Sequence, residues 1–71
     1  METFACKTEY IELFKLLKVT GMIDTGGMAK MVIADGLVTV DGEVETRKAC
    51  KIRPGQIVSF EGQEVQVTSL A

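Results

Sequence analysis

Seventy-one residues bound the chain to one small domain, expected to span residues 1–71, with a thin core that buries only about 60% of the surface its unfolded form exposes. Hydrophobic residues at 46% and charged residues at 25% exclude a wholly disordered chain, and a formal net charge of −2 provides no global attraction for polyanions. The absence of histidine and the presence of only two cysteines, Cys6 and Cys50, argue against a zinc site and a disulfide scaffold, so both thiols are expected to be reduced.

A short polar start leads to Thr8, a candidate helix cap, with Glu9 and Glu12 near the positive end of the helix dipole. Tyr10, Leu13, Phe14 and Leu17 follow at i, i+3, i+4 and i+7, one apolar face of a helix over about residues 9–19. Lys15 and Lys18 project together on a different side, and Gly21 ends the helix. A second helix is expected over about residues 25–35. Asp24 and Thr25 are both good caps, Ala29, Val32 and Ile33 make its apolar face with Met28 or Met31 at the margin, and Gly36 closes it.

Beyond Gly36 the apolar period falls to two. Val38 and Val40 alternate with Thr39, Asp41-Gly42 is a strong hairpin turn, and Val44 lies on the return strand. A basic segment from Arg47 to Arg53 follows, broken by a Pro54-Gly55 turn. Ile57, Val58 and Phe60 form a strand, Gly62-Gln63 a turn, and Val65 and Val67 the last strand. The order predicts an α+β domain in which two helices pack on a small antiparallel sheet of two hairpins. Leu13, Phe14, Leu17, Val32, Ile33, Val40 and Phe60 are its expected core. The longest apolar run, Met31 to Ala34, is far below the ~20 residues of a membrane span, and no secretory signal is visible, so a cytoplasmic protein is expected.

Little in the chain supports catalysis. There is no histidine base, no serine is spaced with one, and the carboxylates fall at helix ends and turns, so an enzyme is not expected. Cys50 lies beside Lys48 and Lys51, whose charge would lower a thiol pKa, but an inert half-buried cysteine is the favoured reading. Two stretches point instead to an anionic partner. Gly26 and Gly27 open the second helix, where backbone N–H groups lack intrahelical acceptors, and Lys30 follows one turn later, although the glycines also fit a plain tight turn with close helix packing. Arg47, Lys48, Lys51 and Arg53 are four of the eight basic residues and fall within seven positions, where they repel one another unless phosphates neutralise them. On these residues alone, a nucleic-acid contact and a solvated loop remain equally open.

The run from Thr25 to Phe60 resembles the S4 RNA-binding domain. That family's pattern has a helix of the form S-R-x-x-A-[RK]-x-L-I-x-x-G, a V-x-V-[ND]-G hairpin, a basic loop and a P-G-D turn. Thr25, Ala29, Lys30, Val32, Ile33 and Gly36 match the helix, Val38, Val40, Asp41 and Gly42 the hairpin, and Pro54, Gly55 and Gln56 the turn. YIELFKLLK, GGMAK and VDGEVETRK are similar to small stand-alone bacterial members, and the likeness spans about residues 9–67. It implies an S4-like (αL) fold and a monomer that recognises structured RNA, ribosomal RNA included, with no cofactor, metal, small-molecule substrate or membrane. The implied RNA-binding residues are Thr25, Gly26, Gly27, Lys30, Arg47, Lys48, Lys51 and Arg53. Gly26 stands where the family usually has a phosphate-contacting arginine, and Gln56 replaces the usual Asp. That gap and the net acidity leave a second class open, a protein–protein adaptor on the same scaffold.

Overall fold

The computed structural model describes residues 2–70, so the two terminal residues of the expected 1–71 domain lie outside it. In chain order the elements are β1 (Glu2–Cys6), β2 (Ile11–Glu12), α1 (Leu13–Val19), α2 (Gly26–Ala34), β3 (Val38–Val40), β4 (Glu43–Val44), β5 (Lys51–Ile52), β6 (Ile57–Phe60) and β7 (Gln63–Ser69). The strands form a five-stranded sheet in the order β1-β7-β6-β3-β4 and a separate two-stranded sheet of β2 and β5.

The α+β class and the pair of helices are as expected, but two antiparallel hairpins do not describe the sheet. β1 lies parallel to β7, with Phe4 opposite Val67 and Cys6 opposite Ser69, which makes the main sheet mixed. Its sequence looks like a polar start because it turns only Phe4 and Cys6 toward the core while Thr3 and Ala5 are exposed. Its partner lies at the far end of the chain, beyond the reach of a local pattern.

α1 begins four residues later than Thr8 would have placed it. Thr8 is no cap: its hydroxyl donates to the Tyr10 carbonyl at 2.6 Å. The residue before the helix is Glu12, which makes no side-chain cap. The first-turn N–H groups are satisfied from outside instead, Leu13 N–H by the Cys50 carbonyl at 2.9 Å and Phe14 N–H by the Lys48 carbonyl at 3.1 Å. With Tyr10 outside the helix, the buried stripe is Leu13, Leu16 and Leu17, and Phe14 falls to its margin.

α2 matches its reading more closely. Thr25 accepts from Met28 N–H at 3.1 Å, and Gly36, at a φ of +78°, ends the helix in the left-handed conformation that glycine adopts without strain. Ala29 and Ile33 are buried and Val32 is half-buried. In the main sheet, Val40 opposite Glu43 leaves Asp41 and Gly42 as a two-residue turn, both at positive φ as the expected hairpin requires. The second turn is Glu61-Gly62, one residue earlier than expected, because Phe60 pairs with Gln63.

One core joins these layers. Leu13, Leu16 and Leu17 of α1 and Ala29 and Ile33 of α2 meet Val38, Val58, Phe60, Val65 and Val67 of the sheet, with Ile52 of β5 closing the side. Of the expected core, Phe14, Val32 and Val40 are only half-buried, at the edge of this cluster.

Candidate functional site

The basic segment is held against the start of α1 by its own backbone. Its Lys48 and Cys50 carbonyls cap the helix, and Lys51 and Ile52 pair with Glu12 and Ile11 as β5 with β2. Ile52 is fully buried and anchors the strand, so the alternation of side chains puts its neighbours Lys51 and Arg53 on the opposite, exposed side. A turn ends the segment. Gln56 N–H donates to the Arg53 carbonyl at 3.2 Å around Pro54 and Gly55, with Gly55 at a φ of +98°. The Gln56 side-chain carbonyl accepts from Arg53 N–H at 2.7 Å, which is the work Gln56 does in place of the expected Asp.

Two half-exposed aromatic rings gather the cations. Lys51 Nζ lies 5.0 Å and the Arg53 guanidinium carbon 5.9 Å from the centre of Tyr10, itself 37% exposed. Lys30 Nζ of α2 lies 4.8 Å from the centre of Phe14, and Lys15 Nζ 5.9 Å from it. Phe14 is also the residue whose N–H takes the Lys48 carbonyl, so it stands between Lys30 and the basic segment. Cation–π attraction of about 0.5–1 kcal/mol per contact offsets part of the cost of crowding like charges. The spacing of Tyr10 and Phe14 places both rings on one apolar helical face and gives no sign of a role in a site. Tyr10 and Phe14 are therefore additions to the site, and Lys15 borders it beside Phe14. Lys15 also pairs with Glu12 at 3.0 Å.

Arg47 behaves differently from its neighbours. Its Nε and Nη2 donate to the two Glu45 carboxylate oxygens at 2.9 and 3.1 Å, and its N–H donates to the same carboxylate at 3.0 Å. The side chain is 78% exposed, yet its guanidinium is already matched by an anion. It also borders a concavity with Asp41, Glu43, Glu45 and Lys51, so its surroundings are acidic. Among the described residues Lys30, Lys48, Lys51 and Arg53 form no ion pair. The unpaired positive charge of the segment therefore rests on Lys48, Lys51 and Arg53, with Lys30 of α2 beside them.

The Arg47 hydrogen bonds, side-chain first and backbone second, hold the Glu45 carboxyl well below the ordinary carboxylate range, at about 2. A depressed folded-state pKa contributes stability above the unfolded value, and this is lost as pH falls from about 4.5 toward about 2. Glu45→Gln is accordingly expected to lower Tm modestly near pH 7, where the exposed pair contributes in full, and to flatten the fall of Tm across that acid window, so that the two proteins converge toward pH 2 in thermal scans at stepped pH. Burial, then the Glu45 carboxylate, raises the Cys50 thiol pKa, which keeps it protonated. The activating effect of Lys48 and Lys51 is thus absent, and Cys6 and Cys50 are both free thiols.

Thr25, Gly26 and Gly27 occupy the first turn of α2, one turn from Lys30, and no hydrogen bond joins them to the basic segment among the described residues. A Cβ added to Gly26 or Gly27 would meet nothing within 4 Å, and neither has a positive φ, so close packing does not account for these glycines. They leave the N-terminal backbone of α2 uncovered.

Comparison with known proteins gives this arrangement a family. The S4 domain model matches residues 4–68. The chain belongs to the S4 domain family. Among relatives of this S4 domain, YbcJ of Escherichia coli (strain K12) is 53% identical over 70 residues, covering 97% of this chain and all of its own. The "Probable ribosome maturation protein RlbA" of Bacillus subtilis (strain 168) is 38% identical over 55 residues, 78% of each chain. The solution structure of E. coli YbcJ, described as revealing an αL motif involved in RNA binding, superposes on this S4 domain with a TM-score of 0.74 at 54% identity. That match covers 96% of this chain and 87% of the other.

Proposed function

We propose that this S4 domain binds structured RNA, with ribosomal RNA as the first candidate, through phosphate contacts from one basic face. The observation that carries the reading is the docking of the basic segment onto α1. It gathers Lys30, Lys48, Lys51 and Arg53 around Phe14 and Tyr10 with no carboxylate paired to any of them among the described residues. Cations fixed by backbone hydrogen bonds and aromatic contacts are preorganised for a polyanion, and on binding they exchange mutual repulsion for counterion release. Thr25, Gly26 and Gly27 extend the face with the exposed N–H groups of a helix start. The ascription of RNA binding to YbcJ and of ribosome maturation to RlbA supports the polymer and the ribosomal candidate.

Recognition on this reading is by backbone shape and charge. The half-exposed rings Tyr10 and Phe14 are already faced by cations, which leaves little platform for stacking unpaired bases. Arg47 contributes less than its neighbours, because a phosphate must displace Glu45 to engage it. Titrating a ribosomal RNA hairpin into the ¹⁵N-labelled protein at low salt tests the proposal. Amide shifts are expected at Gly26, Gly27 and Lys30 and across Lys48 to Arg53. Shifts confined to the β1–β7 edge would refute the face.

A further inference from the structure

A surface that the basic face does not use lies on the other margin of α2. There Met22, Met28, Val32 and Phe60 line a shallow concavity together with the carboxylates Asp24 and Glu61. With about 3.6 residues per helical turn, Met28 and Lys30 stand about 160° apart on α2. Lys30 leans over Phe14 of α1, whereas Met28 and Val32 meet Phe60 of β6 in this concavity. Phe60 is buried at its base, Met22 and Val32 are half-buried, and Met28 is 52% exposed.

Its charge is of one sign. No lysine or arginine lines the concavity, and among the described residues neither Asp24 nor Glu61 is in an ion pair. Glu61 sits at a φ of +51° in the first position of its turn, a conformation that favours Asn, Asp or Gly over Glu. The equivalent residue of the other turn, Asp41 at a φ of +53°, uses its carboxylate to accept from Ile57 N–H at 2.9 Å. Glu61, exposed and lining the concavity, makes no such bond among the described residues.

We propose that this concavity docks a protein segment that presents one or two apolar side chains flanked by lysine or arginine. The apolar groups seat against Met28, Val32 and Phe60, where the flexible thioethers adapt to their shape, and the cations meet Asp24 and Glu61. A nucleic acid does not suit the site, since its phosphates would face two unpaired carboxylates; an anionic membrane is repelled for the same reason. The inference stands on this concavity alone, whatever polymer the basic face holds. With RNA on that face, the two margins of α2 would join an RNA to a basic protein partner.

The test uses the full chain with ¹³C-labelled methionine methyl groups and a synthetic amphipathic peptide of leucine and lysine at helical spacing. The matched control peptide carries glutamate in place of lysine. Saturable shifts are expected at Met22 and Met28, with Met31, which is 65% exposed but outside the concavity, unmoved. Met28→Lys should weaken binding by about tenfold and Glu61→Lys by about threefold, and Lys51→Ala should leave it unchanged. Equal shifts at Met31, equal affinity for the glutamate peptide, or indifference to Met28→Lys would each overturn the proposal. So would shifts at Met22 and Met28 that grow with protein concentration alone, since the occupant would then be a second copy.

Discussion

Truncating Ile33 to alanine is expected to lower the stability of the domain by about 2–5 kcal/mol. Ile33 is fully buried where α2 meets the leucines of α1 and the valines of the sheet, so its missing methyl groups leave a void that three layers must share. A chain of this length has roughly 4–10 kcal/mol of total stability, so the loss is a large fraction of the whole. Thermal unfolding should show Tm lower by roughly 10–40 °C, or no folded state at all. Met31→Ala, on the exposed side of the same helix, should change stability by no more than about 0.5 kcal/mol. A loss below about 0.5 kcal/mol at Ile33 would contradict the placement of α2.

The second large effect is on RNA affinity. Replacing Lys30, Lys48, Lys51 and Arg53 together with glutamine removes four exposed cations that form no ion pair among the described residues, while keeping part of each apolar stem. If each charge neutralises one phosphate, with a slope near ~0.9 per contact, the joint loss at ~0.1 M salt is on the order of a thousandfold. All four side chains are exposed, so the variant should keep its circular-dichroism spectrum and most of its Tm. Arg47→Gln alone should cost no more than a fewfold, because Glu45 already holds that guanidinium in a bidentate pair. A loss at Arg47 as large as at Lys51 would mean that the Glu45 pair opens freely for phosphate.

The parts of this fold that the sequence announces are those set by neighbours in the chain. Thr25 and Gly36 mark both ends of α2, Asp41-Gly42 marks the first hairpin, and Pro54-Gly55 marks the turn that ends the basic segment. Features made by distant partners are not legible that way. β1 becomes a strand only through β7, and α1 starts where the Cys50 and Lys48 carbonyls cap it rather than at the plausible local cap Thr8. Two overlapping apolar stripes run through residues 10–17, and that late start selects Leu13, Leu16 and Leu17 over the stripe that includes Tyr10 and Phe14.

The same reasoning divides the site. The basic run was visible as composition, as was Lys30 behind two glycines. The rings that gather these cations were not, because each cation–π contact joins residues from different elements. Glu45, only two residues from Arg47, is the missed signal that short spacing did carry, and it moves Arg47 from the centre of the face to its border.

The salt dependence of affinity for a structured ribosomal RNA tests the phosphate-binding face most directly. Log–log plots of the association constant against salt should be steep for the wild-type protein and flatter by about one unit for Lys51→Ala, with a lower affinity across many RNA sequences. Lys7→Ala removes an exposed charge just after β1 and should leave both slope and affinity near the wild type. Equal slopes for all three proteins, or no measurable binding at low salt, would contradict an RNA-binding face built on Lys51 and its neighbours.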